Sequence, residues 1–318
     1  MSDLTLKNLL TEYSIKRNNE LYKAQKKKEA LYTKCPRLQE IDEELSSSAI
    51  FIAKKLLQSN NKNILSDFNI KKQILLKEKN EIYKSLNIDS TYLEPNYECK
   101  LCKDTGYITS NNNLTVMCNC LKQKIFDIKF NKINLIDISN NNFSQFNSNY
   151  YSDKVNSNKY NSSISPRDNI EIIKNIAIKF IKNFDNSSEK NLLFIGNTGL
   201  GKTFLSNCIA NEILKQHKTI LYQTAPSMLD SIIDYRLGKS KDNFNIIKNI
   251  LSVDLLIIDD LGTECLNNMK FSELFTILNT RLLNQTKKVT KTIISTNLDI
   301  NNLIQLYGER IVSRLIGS

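Results

Sequence analysis

The sequence predicts an α/β protein built on a parallel sheet and preceded by a helical region that carries a cysteine segment. Three observations predict it. Residues 191–205, NLLFIGNTGLGKTFL, set an apolar run (Leu192, Leu193, Phe194, Ile195) before a glycine-rich loop and a helical pattern, the order strand, loop, helix. Two further aliphatic runs with polar ends, LLIIDD at 255–260 and TIISTN at 292–297, read as buried parallel strands. Ahead of them, residues 4–88 repeat apolar positions at helical spacing among Lys and Glu.

Composition sets the outer limits. A chain of 318 residues is long enough for one large α/β domain and a smaller one. No run of about 18 apolar residues occurs and the start, MSDLTLKNLL, lacks a signal-peptide pattern, so a soluble cytoplasmic protein with no membrane span is expected. Lys plus Arg number 44 against 33 Asp plus Glu, a net charge of +11. That balance permits a polyanionic partner, nucleic acid first, and scattered surface lysines account for it nearly as well. Seven cysteines in a cytosolic chain argue against a disulfide framework and for metal ligands or buried thiols.

In chain order, Leu4, Leu6, Leu9, Leu10 and Tyr13 start a first helix, with a break at Cys35-Pro36. Ile41, Leu45, Ile50, Ile52 and Leu56 mark a second helix, and Ile70, Ile74, Leu75 and Ile82 a third over 67–86. Such a bundle suits partner binding and plain structure equally. Within residues 97–121, Cys99 and Cys102 form C-x-x-C and Cys118 and Cys120 a second close pair, four soft ligands suited to tetrahedral Zn²⁺. The C-x-C spacing is the less common one, so an iron–sulfur cluster and four unligated thiols stay open. Asp104, Thr105 and Gly106 supply a turn between the pairs. Cys35, Cys208, Cys265 and the sole histidine, His217, are not placed to join, and Cys208 reads as core. The organisation expected is an N-terminal domain over 1–128, an Asn/Ser-rich linker over 129–168 and an α/β domain over 169–318. Phe143, Phe146, Tyr150 and Tyr151 are odd residues for a solvated tether, so part of that linker is expected to pack on the domain that follows. Pro166-Arg167-Asp168 reads as the entry to a helix over 169–184.

The loop is G-x-x-x-x-G-K-T: Gly196, Asn197, Thr198, Gly199, Leu200, Gly201, Lys202, Thr203. Its glycines let successive N–H groups turn onto phosphate oxygens at the positive end of the next helix, Lys202 reaches the β and γ phosphates, and the Thr203 hydroxyl ligates Mg²⁺. ATP is the implied ligand. A second strand is expected over 219–224, then helices over 226–237 and 243–251. Asp259 and Asp260 end the next strand, where Asp259 can hold Mg²⁺ through water and Asp260 can orient and deprotonate an attacking water. Asn297 is placed to touch the γ-phosphate or that water. Tyr235, Arg236, Lys239 and Lys241 set a stacking ring beside basic charge, a pattern suited to single-stranded DNA and common on solvated helices. Arg310 and Arg314 lie four apart on one helix.

Taken together and in this order, residues 196–203, LLIIDDLGTE (255–264), IISTNL (293–298) and GERIVSRL (308–315) resemble the bacterial replicative-helicase loaders of the DnaC/DnaI type, AAA+ ATPases with a core like that of IstB. The cysteine segment and FSQF…YYSD…SPRDN look like the Gram-positive branch of that group. The resemblance implies that Asp259 and Asp260 are the Walker B pair, Asn297 the sensor-1 residue and Arg310 an arginine finger acting on a neighbouring subunit's ATP. It implies self-assembly, a DnaB-type hexameric helicase gripped by the N-terminal region, and single-stranded DNA. Rival readings are an IstB-type transposition helper and an adaptor that uses ATP as a latch without hydrolysis. Asp260 stands where AAA+ proteins more often have Glu. The resemblance also leads one to expect a sensor-2 arginine in a segment following residue 318, and no residue here takes that role.

Overall fold

The computed structural model describes residues 2–58, 63–110, 113–129, 141–160, 162–239, 246–284 and 289–317. They divide into two compact units, Leu9–Ile108, and Thr109–Ser318 with Met1–Asn8.

The first unit holds α1 (Ser2–Lys34) from Leu9 on, then α2 (Pro36–Gln58) and α3 (Asn63–Ser85). Proline lacks an N–H and suits the first turn of a helix, so Pro36 opens α2 and leaves Cys35 outside. Leu31, Leu38, Ile41 and Leu75 are buried. Arg37 reaches both Glu78 oxygens, at 2.7 and 3.0 Å, and ties α2 to α3. The stripe expected on α3 is only partly used, because Leu75 is buried whereas Ile70 and Ile74 are 60% and 62% exposed. A helix packed against one neighbour covers one narrow face. The expected side-chain burial of Ile50, Ile52 and Leu56 lies outside the described residues.

The division between units falls at 108/109, inside β1 (Tyr107–Thr109), which pairs with β2 (Thr115–Met117). It does not fall at 128/129 as expected. The reason is α4 (Asn119–Lys129), which lies with the second unit. There Gln123 accepts from Ile220 N–H at 2.7 Å and donates to Ile220 C=O at 3.0 Å, so a side-chain amide answers the free edge of a strand. Part of the expected linker also packs on this unit. Helical turns at Phe143–Gln145 and Ser148–Tyr150 are capped by Asn142 and Asn147, and Phe143 packs on the core. Residues 130–140 of it lie outside the described residues. Ser165 caps α5 (Pro166–Lys182) by accepting from Asp168 N–H, so this helix starts at Pro166 and not at Asn169.

The core of the second unit is a four-stranded parallel sheet in the order β3-β6-β5-β4, where β3 is Leu192–Ile195, β4 Ile220–Thr224, β5 Leu255–Leu261 and β6 Lys291–Thr296. Between them run α6 (Lys202–Lys215), α7 (Ala225–Arg236), α8 (Ile246–Ser252) and α9 (Asn268–Asn284), and α10 (Ile300–Ile316) follows β6. Residues 243–245 of the helix expected before β5 lie outside the described residues. Strand alternation splits the aliphatics between two faces. Leu255 and Ile257 pack with α5 and α6, while Leu256 and Ile258 pack with α7, α8, α9 and α10. From β3 the chain crosses to the far edge and then steps back through β5 to β6. The carboxyl ends of β3, β6 and β5 therefore stand side by side, which is where parallel α/β sheets place ligands.

Candidate nucleotide site

At the end of β3 the backbone takes conformations that suit glycine. Gly199 and Gly201 have φ of +83° and +82°, and a Cβ on Gly201 would lie 2.9 Å from the Tyr151 hydroxyl. Gly201 is also the N-cap of α6 and has no side chain to cap the first-turn N–H groups. By contrast α5, α7 and α10 are each capped by a side chain, from Ser165, Thr224 and Asp299. The positive end of α6 is thus left for an anion, lined by loop amides. The Tyr151 hydroxyl donates to Leu200 C=O at 2.9 Å, so a linker tyrosine expected to pack on this domain braces the phosphate loop itself.

Lys202 Nζ donates to Gly196 C=O at 2.6 Å, Asn197 C=O at 2.9 Å and Asn297 Oδ1 at 2.6 Å. The sheet order explains the last contact, because β3 and β6 are neighbours. On the next strand, Asp259 is 4% exposed and its Oδ2 accepts from Thr203 Oγ1 at 3.1 Å and from the Tyr222 hydroxyl, while Oδ1 accepts from Ser295 Oγ. Thr203 and Asp259 offer a hydroxyl and a carboxylate side by side, hard oxygens that fit Mg²⁺. Between Ile258 and Leu261 the pairing of β5 with β6 shifts register, and Asp260 takes φ of +55°. That irregularity turns Asp260 out of the strand's alternation at the site. Burial and neighbouring Asp259 push its carboxyl above the ordinary range, and Lys202 opposes them.

At the β1–β2 hairpin, the ligand atoms of Cys99, Cys102, Cys118 and Cys120 all lie within 4.8 Å of one another. Lys103 and Asp104 adopt φ of +50° and +54°, and the Asp104 carboxylate accepts from Glu98 and Cys99 N–H at 2.9 and 2.8 Å, which folds the knuckle around the first pair. Four convergent thiolates can hold Zn²⁺. Cys208 is core, its thiol pushed up to about 12 by burial and then by Glu212, and Cys265 is exposed.

Residues 140–316 match the family model described as IstB-like ATP binding protein. The chain belongs to that family. It is similar to the replicative helicase loader DnaC of Escherichia coli (strain K12), 25% identical over 139 residues that make up 44% of this chain and 55% of the relative. The DnaC of Buchnera aphidicola subsp. Schizaphis graminum (strain Sg) is 28% identical over 131 residues, 41% of this chain and 52% of that one. The chain thus spans about half the length of the curated relatives it matches. A crystal structure of the DnaC helicase loader aligns with a TM-score of 0.40 and 22% identity, covering 54% of this chain and 92% of that one. One of DnaI aligns with a TM-score of 0.39 and 22% identity, covering 57% and 88%.

In this IstB-like domain the two arginines of α10, four apart on one helix, differ in their surroundings. Arg314 donates to Asn279 Oδ1 and to Arg310 C=O, both at 2.9 Å, and lies 4.6 Å from the Phe275 ring centre. Arg310 follows a break at Gly308 (φ +72°) and is exposed, and among the described residues its guanidinium has no ion pair and no hydrogen bond to the loop. Two of the four residues expected to contact DNA have partners within the chain. Arg236 reaches both oxygens of Glu273 at 2.8 and 3.3 Å, and Tyr235 packs partly against the core. Lys239 is exposed, and Lys241 lies outside the described residues. Sequence reading missed Tyr222 and Ser295. The signal was present, since a tyrosine inside a buried strand needs a partner for its hydroxyl. Among the described residues no helix is long and apolar enough to cross a membrane.

Proposed function

We propose that this protein is a cytoplasmic ATPase that loads a DnaB-type hexameric replicative helicase onto single-stranded DNA and grips that helicase with its N-terminal region, residues 1–128. One observation carries the reading: the phosphate loop, the two acids and Asn297 converge in a chain that is similar to DnaC replicative helicase loaders. When bound, a magnesium–ATP complex supplies a γ-phosphoryl group for transfer to water. The amides of residues 196–203 hold its phosphates, and Lys202 leaves the Gly196 and Asn197 carbonyls to meet them. Asp259 and Thr203 hold the cation. Asp260 orients the water and accepts its proton, with Asn297 fixing the same end of the site. Arg310, exposed beyond the break at Gly308, acts on the ATP of a neighbouring copy, so turnover needs assembly through the ATPase domains. Cys99, Cys102, Cys118 and Cys120 hold one structural Zn²⁺ per chain.

The family description itself favours a second reading, a transposition helper of the IstB kind. The cysteine-bearing N-terminal region supports the loader instead. A pull-down of the purified protein against the cognate replicative helicase, with and without ATP, separates the two. ATP-dependent capture is expected, and no capture in either state overturns the loader. Steady-state turnover above background removes the latch without hydrolysis. Elemental analysis should find one zinc per chain, and chelation should unfold residues 97–121 while ATP binding persists. Iron with acid-labile sulfide would overturn the zinc assignment.

A further inference from the structure

We infer that Tyr222 and Ser295 are positioning residues for the magnesium seat, two hydroxyls from flanking strands that lock the Asp259 carboxylate in the orientation the cation needs. The inference rests on reading this site as a magnesium–nucleotide site. Asp259 lies near the carboxyl end of β5, between β4 and β6, and each neighbour contributes one donor. The Tyr222 hydroxyl, from β4, serves Oδ2, which also accepts from Thr203. Ser295 Oγ, from β6, serves Oδ1 and in turn accepts from Asp260 N–H at 3.1 Å, so one hydroxyl ties both acids together. Both side chains are closed to solvent, at 1% and 0% exposure, and Tyr222 stands among Leu205, Ile209 and Ile257 on the face covered by α6. A carboxylate with a fixed donor on each oxygen cannot rotate about its Cβ–Cγ bond. The Oδ2 lone pair that meets the Thr203 hydroxyl then keeps one direction, toward Thr203 and the loop, where a cation would take it. A buried tyrosine in an apolar cluster needs only one partner for its hydroxyl, and any backbone carbonyl would serve. Here that hydroxyl is spent on Asp259, the carboxylate that also meets Thr203 of the phosphate loop. Groups that orient a metal ligand typically alter metal affinity 10- to 100-fold when removed, about the same range expected here.

The test reads magnesium and not turnover. For the full-length protein, titration with a fluorescent ATP analogue at a series of Mg²⁺ concentrations gives the Mg²⁺ midpoint for tight binding, and the same titration in EDTA gives the cation-free affinity. Tyr222→Phe keeps the ring and removes the donor. Its Mg²⁺ midpoint should rise about tenfold while its EDTA affinity stays at the wild-type value. Ser295→Ala is read the same way, and it carries the test if Tyr222→Phe melts below the assay temperature. A role confined to packing would lower the melting temperature of either variant and leave the midpoint alone. Wild-type midpoints in folded variants overturn the inference. Lys202→Ala separates that failure from failure of the site itself: if it binds the analogue as the wild type does, the nucleotide reading falls. If it loses binding while Tyr222→Phe and Ser295→Ala keep wild-type midpoints, only the positioning role falls.

Discussion

The two ends of the parallel sheet treat their polar groups differently. At the amino end the buried charged groups Arg281, Asp254 and Lys291 are answered from within the chain. Arg281, 2% exposed, donates to Thr292 Oγ1, to Ile250 and Val253 C=O at the end of α8, and to Lys291 C=O. Asp254 accepts from the Thr219 N–H and hydroxyl at 2.8 and 2.7 Å, and Lys291 Nζ donates to Asn186 and Glu189 C=O. At the carboxyl end the first turn of α6 has no side-chain cap, and the Lys202 ammonium rests on loop carbonyls and Asn297 with no carboxylate partner among the described residues. A buried charge needs partners wherever it sits. The chain supplies them at both ends, to Arg281 and Asp254 at one and to Asp259 at the other; what the carboxyl end leaves to a ligand is the start of α6 and the Lys202 ammonium.

Arg281→Met breaks the amino end. It strands three carbonyls and a hydroxyl in the core, and removing one member of such a buried set typically costs about 3–5 kcal/mol. Denaturant unfolding should show that loss, while the folded fraction keeps wild-type ATP affinity. A cost under about 1 kcal/mol would mean that the network holds nothing. Burial pulls the Arg281 guanidinium down to about 9, with Asp254 opposing, so it keeps its charge at neutral pH.

Lys202→Ala tests the carboxyl end with the reverse signature. Its ammonium serves a ligand and packs little core, so tight ATP binding should weaken about a hundredfold or more, roughly 3 kcal/mol, with little change in melting temperature. Fluorescent-nucleotide titration beside a thermal melt checks both halves. A large stability loss with unchanged affinity would reverse the assignment of the two ends.

The arginines of α10 set the same contrast within one helix. Arg314, bonded to Asn279 and stacked on Phe275, should cost about 1–2 kcal/mol of stability on mutation to Ala. Arg310→Ala should stay within about 0.5 kcal/mol of wild type, as surface changes do. It should bind ATP normally yet turn it over poorly, and added Lys202→Ala protein should restore part of the activity through its own Arg310. If co-assembled mixtures stay inactive, the finger does not act between copies.

What the sequence by itself determined are the features carried by neighbours in the chain. The G-x-x-x-x-G-K-T loop, the break at Cys35-Pro36, the two cysteine pairs and the strands over 255–260 and 292–297 depend on local dihedrals, ligand spacing or side-chain period, and each is legible over a few residues. Only the tertiary structure decided the rest. That Lys202 meets Asn297, that Tyr222 and Ser295 hold Asp259, and that α4 covers the edge of β4 follow from the order β3-β6-β5-β4, which pairs strands far apart in the chain. Which arginine is tied down, and why Arg236 faces Glu273, depends on how α7, α9 and α10 pack together. A residue's own spacing fixes the face of the helix it lies on. Its partner is set by the neighbouring element, and that choice is a property of the whole fold.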